Sequence, residues 1–152
     1  MFKHVGIVGA GTMGSGIAQA VATAKIDVSI YDVNETLTRQ GVERVRGELK
    51  RGVQKGKLTP EELTAAMERI RMKSNIADLG SCDLVIEAII EDLRVKRDLF
   101  RHIEKNTKPA TVLATNTSSL SVTSSLSRNA PEVKKNFGRR PLLSKRGRCV
   151  CE

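Results

Sequence analysis

Gly6-Ile7-Val8-Gly9-Ala10-Gly11-Thr12-Met13-Gly14-Ser15-Gly16-Ile17-Ala18 is the stretch on which the fold turns. Val5, Ile7 and Val8 make residues 3–8 read as a buried strand that ends in glycines. Met13, Ile17, Ala18, Val21 and Ala22 then recur at spacings of three and four, so residues 12–24 read as a helix. A strand that becomes a helix within so few residues demands special backbone. Gly9 permits the tight turn, and Gly14 lets the helix pack closely on the strand it has just left. Gly11 allows the backbone to approach a ligand that any Cβ would push away.

Gly9, Ala10, Gly11, Thr12, Met13 and Gly14 thus carry a GxGxxG pattern between a strand and a helix. In that context the pattern seats a pyrophosphate on the free N–H groups and positive dipole end of the helix. The motif alone is weak, since a glycine-rich turn beside a surface Asp has the same composition. Asp32 strengthens it. Residues 27–31, with Val28 and Ile30, read as a second strand, and Asp32 closes that strand 18 residues beyond Gly14. An acid there accepts hydrogen bonds from ribose hydroxyls and repels a 2′-phosphate, so NAD is expected as cofactor in preference to NADP.

The pattern continues outward. Asn34 is placed to cap a helix whose apolar stripe is Leu37, Val42, Val45 and Leu49, ending near Gly52–Gly56. Thr59-Pro60-Glu61-Glu62 starts a second helix running to about Ile70, with Thr at the cap, Pro first and Glu third. Residues 83–90 hold a buried strand around Leu84-Val85-Ile86. Residues 93–104 form an amphipathic helix with Val95, Leu99, Phe100 and Ile103, and residues 111–114 are a further strand. Alternating units with buried apolar strands imply an α/β fold, a Rossmann-type doubly wound parallel sheet, with a helical pair inserted after the second strand.

Composition excludes other classes. The chain has 152 residues, 39% hydrophobic and 28% charged, as expected of one globular domain. No apolar run approaches the ~20 residues of a membrane span. Three cysteines form neither a disulfide framework nor a CxxC motif, so a reduced, cytoplasmic setting and no metal site are expected. A net charge of +9 suggests an acidic partner, yet residues 128–152 carry eight Lys/Arg against two Glu. Residues 1–127 are only mildly basic, and one Tyr, three Phe and no Trp leave little to stack bases on. No nucleic-acid partner is expected. The domain is read as 1–127, or to 138 at most, and 128–152 as a basic tail expected to be disordered.

Residues 6–19, the run Cys82-Asp83-Leu84-Val85-Ile86-Glu87-Ala88-Ile89-Ile90-Glu91-Asp92-Leu93-Arg94-Val95-Lys96, and the run Leu113-Ala114-Thr115-Asn116-Thr117-Ser118-Ser119-Leu120-Ser121 resemble, in order, the 3-hydroxyacyl-CoA dehydrogenase family. The compact 3-hydroxybutyryl-CoA type is nearest. The resemblance implies hydride transfer between (S)-3-hydroxyacyl-CoA and NAD, and an acyl-CoA substrate. It implies that Asp32 holds the adenosine ribose and that Glu91 and Lys96 lie by the nicotinamide half of the cofactor. Asn116 and Ser118 take the catalytic edge of the site, with Ser118 on the substrate 3-oxygen and also near the cofactor. Lys55 falls near the CoA moiety, more loosely. Plainer roles stay open: helix-start pairing for Glu91 with Lys96, a helix cap for Ser118, and a generic basic patch with Arg51 and Lys57 for Lys55. Glu87 reads as a strand residue hydrogen-bonded at the cleft. His4 and His102 read as structural or exposed, and Cys82 as a small buried hydrophobe.

The family continues with a Gly-x-His-Phe-Phe-Asn-Pro run whose His is the general base. A helical domain follows that closes over substrate and makes the dimer. Here Pro141 stands where the His is expected, after Arg139 and Arg140, and neither residue type serves as a base near neutral pH. The expectation is that the reading frame departs from the family near Gly138, as in a frameshifted or prematurely ended gene. On that expectation the last strands of the sheet and the helical domain are absent, and turnover is impaired. The alternative is a non-catalytic, stand-alone NAD-binding module with a basic tail.

Overall fold

The structure, a computed structural model, describes residues 2–116 and the backbone of residues 142–144. The elements are β1 (His4–Val8), α1 (Thr12–Thr23), β2 (Asp27–Tyr31), α2 (Glu35–Gln54), α3 (Pro60–Glu68), β3 (Ile70–Lys73), a 3-10 turn (Ile76–Leu79), β4 (Leu84–Glu87), α4 (Leu93–Asn106), β5 (Val112–Thr115) and β6 (Leu142–Ser144). The strands form one sheet in the order β3-β2-β1-β4-β5-β6, every pair parallel. The order reverses beside β1, which is the doubly wound arrangement and its switch point.

Local chemistry sets most boundaries. Asn34 accepts from the Thr36 N–H at 2.7 Å and starts α2. Thr59 and Glu62 form a reciprocal capping box with Pro60 at the first helical position of α3. Asp92 accepts from the Arg94 and Val95 N–H groups and starts α4. Side chains of β1 alternate between two cores. Val5 and Ile7 pack with Ala18, Val28, Val45 and Leu49 under α1, α2 and α3. Val8 packs with Leu79, Val85, Phe100, Ile103 and Leu113 under α4 and the 3-10 turn. Helices on both faces explain why these strands are almost uniformly apolar.

Three boundaries differ from the sequence reading. Residues 70–73 form an edge strand on β2, where the reading carried a helix to about Ile70 and placed no strand after it. Arg71 and Met72 are exposed, so no apolar run announces the strand, and its pairing comes from β2 alone. β4 stops at Glu87, well short of residue 90, because the Glu87 carboxylate takes the Ile89 N–H at 2.8 Å and turns the chain. β6 pairs in register with β5, where the sheet was expected to lack its last strands. Three residues with two leucines are too short for a periodicity to register. The proposed domain end at 127 or 138 lies outside the described residues.

The amino edge of the sheet is closed by Asp83, whose carboxylate accepts from the Lys3 N–H at 2.8 Å and the His4 N–H at 3.1 Å. The His4 ring lies between Ser29 Oγ at 2.9 Å and Ser81 Oγ at 3.3 Å. Cys82 beside it is buried, and burial, with Asp83 second, pushes its thiol up to about 11, so it stays protonated. The Lys3 N–H and then the His4 N–H hold the Asp83 carboxyl below its usual range. A depressed carboxyl stabilises the fold above its unfolded-state value, near pH 4, and that contribution fades as pH falls through the lower folded value. Acidification from pH 5 to pH 3 is therefore expected to lower the melting temperature of the wild type more than that of Asp83→Asn; equal pH profiles would contradict this.

Candidate functional site

The carboxyl edge of the sheet gathers the loops that follow β1, β2, β4 and β5. Register puts Tyr31, Val8, Glu87 and Thr115 in one row across it. At Gly9 the chain takes φ +104°, and a Cβ there would meet the Ala88 carbonyl oxygen at 2.5 Å. A Cβ at Gly14 would fall on the Gly9 carbonyl oxygen. Both glycines are thus required by the protein itself. Gly11 is different: a Cβ there would meet nothing within 4 Å. The space beside Gly11 is open among the described residues, as it is at Gly16 and Gly47 within the helices, but Gly11 stands where α1 begins.

Gly11 is the N-cap of α1, and no side-chain cap is present there. Asn34, Thr59 and Asp92 cap α2, α3 and α4. The first N–H groups of α1 have no intrahelical acceptor and, with the dipole, form an anion seat facing the open space. Asp32 is fixed beside it. One carboxylate oxygen accepts from the Ala10 N–H at 2.7 Å and the other from the Val33 N–H at 2.7 Å. Each oxygen keeps a lone-pair site for another donor. Thr38 Oγ1 accepts from the Asp32 N–H at 3.1 Å and anchors the turn to α2.

Glu87 is fully buried and carries the other half of the edge. Its carboxylate accepts from Lys96 Nζ at 3.0 and 3.1 Å, from Thr115 Oγ1 at 2.6 Å and from the Ile89 N–H. Lys96 also reaches Glu91 at 3.4 Å. Glu91 and Lys96 are therefore brought together, with the Lys96 ammonium turned inward onto Glu87 and its side chain only 3% exposed. Asn116 follows β5, its N–H donating to the Glu87 carbonyl oxygen at 2.9 Å. Thr12 and Met13 are exposed at the start of α1. Ser118 lies outside the described residues. Lys55 is exposed at the C-cap of α2. The 20 residues of that helix place it about 30 Å along the axis from the Asp32 end, so it does not join the loop cluster.

Several residues around this edge escaped the sequence reading. Val33 is 85% exposed and Ile90 71% exposed, both on loops at the carboxyl edge. Large apolar residues left in solvent directly after strands are the signal that could have found them. Gly41 and Arg44 on α2 approach the glycine loop from behind. A Cβ at Gly41 would meet the Ala10 carbonyl oxygen at 2.6 Å, and Arg44 Nη1 donates to that same oxygen at 2.8 Å. A groove of about 930 Å³ runs between α1 and α2, but its arginines are occupied: Arg51 pairs with Glu48 and Arg39 with Glu35. No helix among the described residues is long and apolar enough to cross a membrane.

Residues 4–138 match the family described as 3-hydroxyacyl-CoA dehydrogenase, NAD binding domain. The chain is 41% identical over 123 residues to the 3-hydroxybutyryl-CoA dehydrogenase of Bradyrhizobium diazoefficiens, covering 81% of this chain and 42% of that protein. The crystal structure of FadB2 from M. tuberculosis superposes with a TM-score of 0.85 at 34% identity, covering 94% of this chain and 49% of that one. The (S)-3-hydroxybutyryl-CoA dehydrogenase of Ralstonia eutropha gives 0.84 at 33% identity, covering 95% and 49%. The chain spans less than half the length of each.

The Glu87–Lys96 pair yields a direct expectation. Lys96→Met strands a buried carboxylate and should cost about 3–5 kcal/mol in chemical denaturation. The double variant Glu87→Gln with Lys96→Met removes both charges and should recover most of that loss. A double variant less stable than Lys96→Met would show that the pair does not act as a unit.

Proposed function

The chain belongs to the 3-hydroxyacyl-CoA dehydrogenase family through its NAD-binding domain, and from that premise we propose that it serves hydride transfer between (S)-3-hydroxyacyl-CoA and NAD, of the 3-hydroxybutyryl type. The observation that carries this reading is the open space at Gly11 in front of the uncapped α1 terminus, with Asp32 held at its side. Bound NAD supplies the hydride acceptor. Gly11, Thr12, Met13 and Gly14 present backbone N–H groups to the pyrophosphate, while Gly9 and Ala10 shape the turn, their own N–H groups held by the Tyr31 carbonyl and by Asp32. Asp32 accepts from the adenosine ribose hydroxyls, and the apolar surfaces of Val33 and Ile90 shield the adenine from water. Glu91, steadied by Lys96, borders the nicotinamide half, while Asn116 and Ser118 orient the substrate 3-oxygen. Lys55 serves the CoA moiety at the far end of α2. A cytoplasmic location is part of the proposal, supported by three cysteines that form neither a disulfide framework nor a CxxC motif.

A second reading, an NAD-binding module that does not turn over, is favoured by where the histidines lie. The sequence has two. His4 is at the amino edge of β1, opposite the cofactor loops, and His102 is exposed on α4. Neither is placed to take the hydroxyl proton, a role worth ~10²–10⁴-fold in rate. The 152-residue chain is expected to bind NAD and to turn over little. NADH consumption with acetoacetyl-CoA decides between the readings, since normal turnover would sink the second. In calorimetry, Asp32→Ala should weaken NAD about tenfold, the scale of one charge-assisted hydrogen bond, and narrow the preference for NAD over NADP. No heat at millimolar NAD with the wild type would overturn both readings.

A further inference from the structure

We infer that Arg44 is a positioning residue of the pyrophosphate cradle, acting from behind the glycine loop through the Ala10 carbonyl. This rests on the dinucleotide reading of that loop and adds a residue outside the GxGxxG pattern and the ribose acid. The Ala10 residue is held on both sides. Its N–H donates to Asp32 at 2.7 Å, and its carbonyl oxygen accepts from Arg44 Nη1 at 2.8 Å. Ser15 Oγ, itself buried, lies 3.2 Å from the same oxygen and 3.5 Å from Arg44.

The consequence follows from peptide geometry. In a trans peptide the C=O and the following N–H point in opposite directions, and the chain has no cis bond among the described residues. Pulling the Ala10 carbonyl back toward α2 therefore turns the Gly11 N–H away from α2, to the open side of Gly11 where a Cβ would meet nothing. Without that anchor the Ala10 carbonyl keeps only the Ser15 hydroxyl, which also donates to the Gly11 carbonyl, and a rotated peptide would present its negative end to the incoming anion. The guanidinium adds a fixed positive charge behind the seat. Gly41 is the structural condition for this contact. A side chain there would meet both the Ala10 carbonyl oxygen, at 2.6 Å, and the Ala10 Cβ, at 2.7 Å, and would lift α2 off the loop.

The test compares ligands with and without the pyrophosphate. NAD is titrated by calorimetry and adenosine by ligand line broadening in NMR, on the wild-type chain and on Arg44→Met, Arg44→Lys and Gly41→Ala, with melting temperatures alongside. Arg44→Met should weaken NAD roughly tenfold, the scale of one lost charge-assisted bond, and leave adenosine unchanged. Arg44→Lys should restore most of the NAD affinity. Gly41→Ala should reproduce the selective loss by a different lesion. NAD binding by Arg44→Met at wild-type strength would overturn the inference, and so would a parallel loss of NAD and adenosine, which is the mark of a merely structural role. Failure of the wild type to bind NAD would overturn the dinucleotide reading itself.

Discussion

Three stretches of backbone converge on the turn that follows β1, and each arrives closer than a side chain would allow. The exit of β4 presses on Gly9 through the Ala88 carbonyl, α1 presses on the Gly9 carbonyl through Gly14, and α2 presses on Ala10 through Gly41. Protein interiors tolerate such approaches only where Cβ atoms are missing. With these contacts in place, β1 sits at the switch point of the sheet, α1 leaves at the angle that aims its N–H groups outward, and Asp32 reaches the Ala10 N–H. At Gly11, by contrast, a Cβ would meet nothing within 4 Å among the described residues, and its place at the uncapped start of α1 beside Asp32 sets it apart from the open helical glycines Gly16 and Gly47.

The far side of the edge is organised by charge. Glu87 sits on the central part of the sheet with no exposure, and its two oxygens bind together the end of β4, the end of β5 and the first turns of α4 through Ile89, Thr115 and Lys96. A buried ion pair of this kind is costly to desolvate and stabilises little against an apolar replacement. Its effect is geometric: it fixes the spacing between the loops that carry Glu91 and Asn116. Glycine contacts on one side and a buried ion pair on the other flank the carboxyl edge where the strand order reverses.

Much of this was legible in order along the chain. The strand at β1, the glycine turn, Asp32 after β2, and the caps Asn34 and Thr59 with Pro60 and Glu62 are local signals, and each element forms where its own residues ask for it. The strand β3 was not legible, because Arg71 and Met72 face solvent and an edge strand needs only a partner. Nor was the inward turn of Lys96. A Lys five residues after a Glu at a helix start reads as a surface pair, and the deciding partner, Glu87, lies on the strand nine residues back.

The sequence by itself determined the alternation of strands and helices, the glycine turn between β1 and α1 and the acid that follows β2, because periodicity, capping and glycine placement act over a few residues. Only the tertiary structure decided that Gly41 and Arg44 stand behind Ala10, that Glu87 claims Lys96, and that Lys55 lies about 30 Å along α2 from the loop cluster. Those relations depend on how separate elements pack, and no local pattern records which face of α2 meets the glycine loop or which way a lysine turns once a buried carboxylate is within reach.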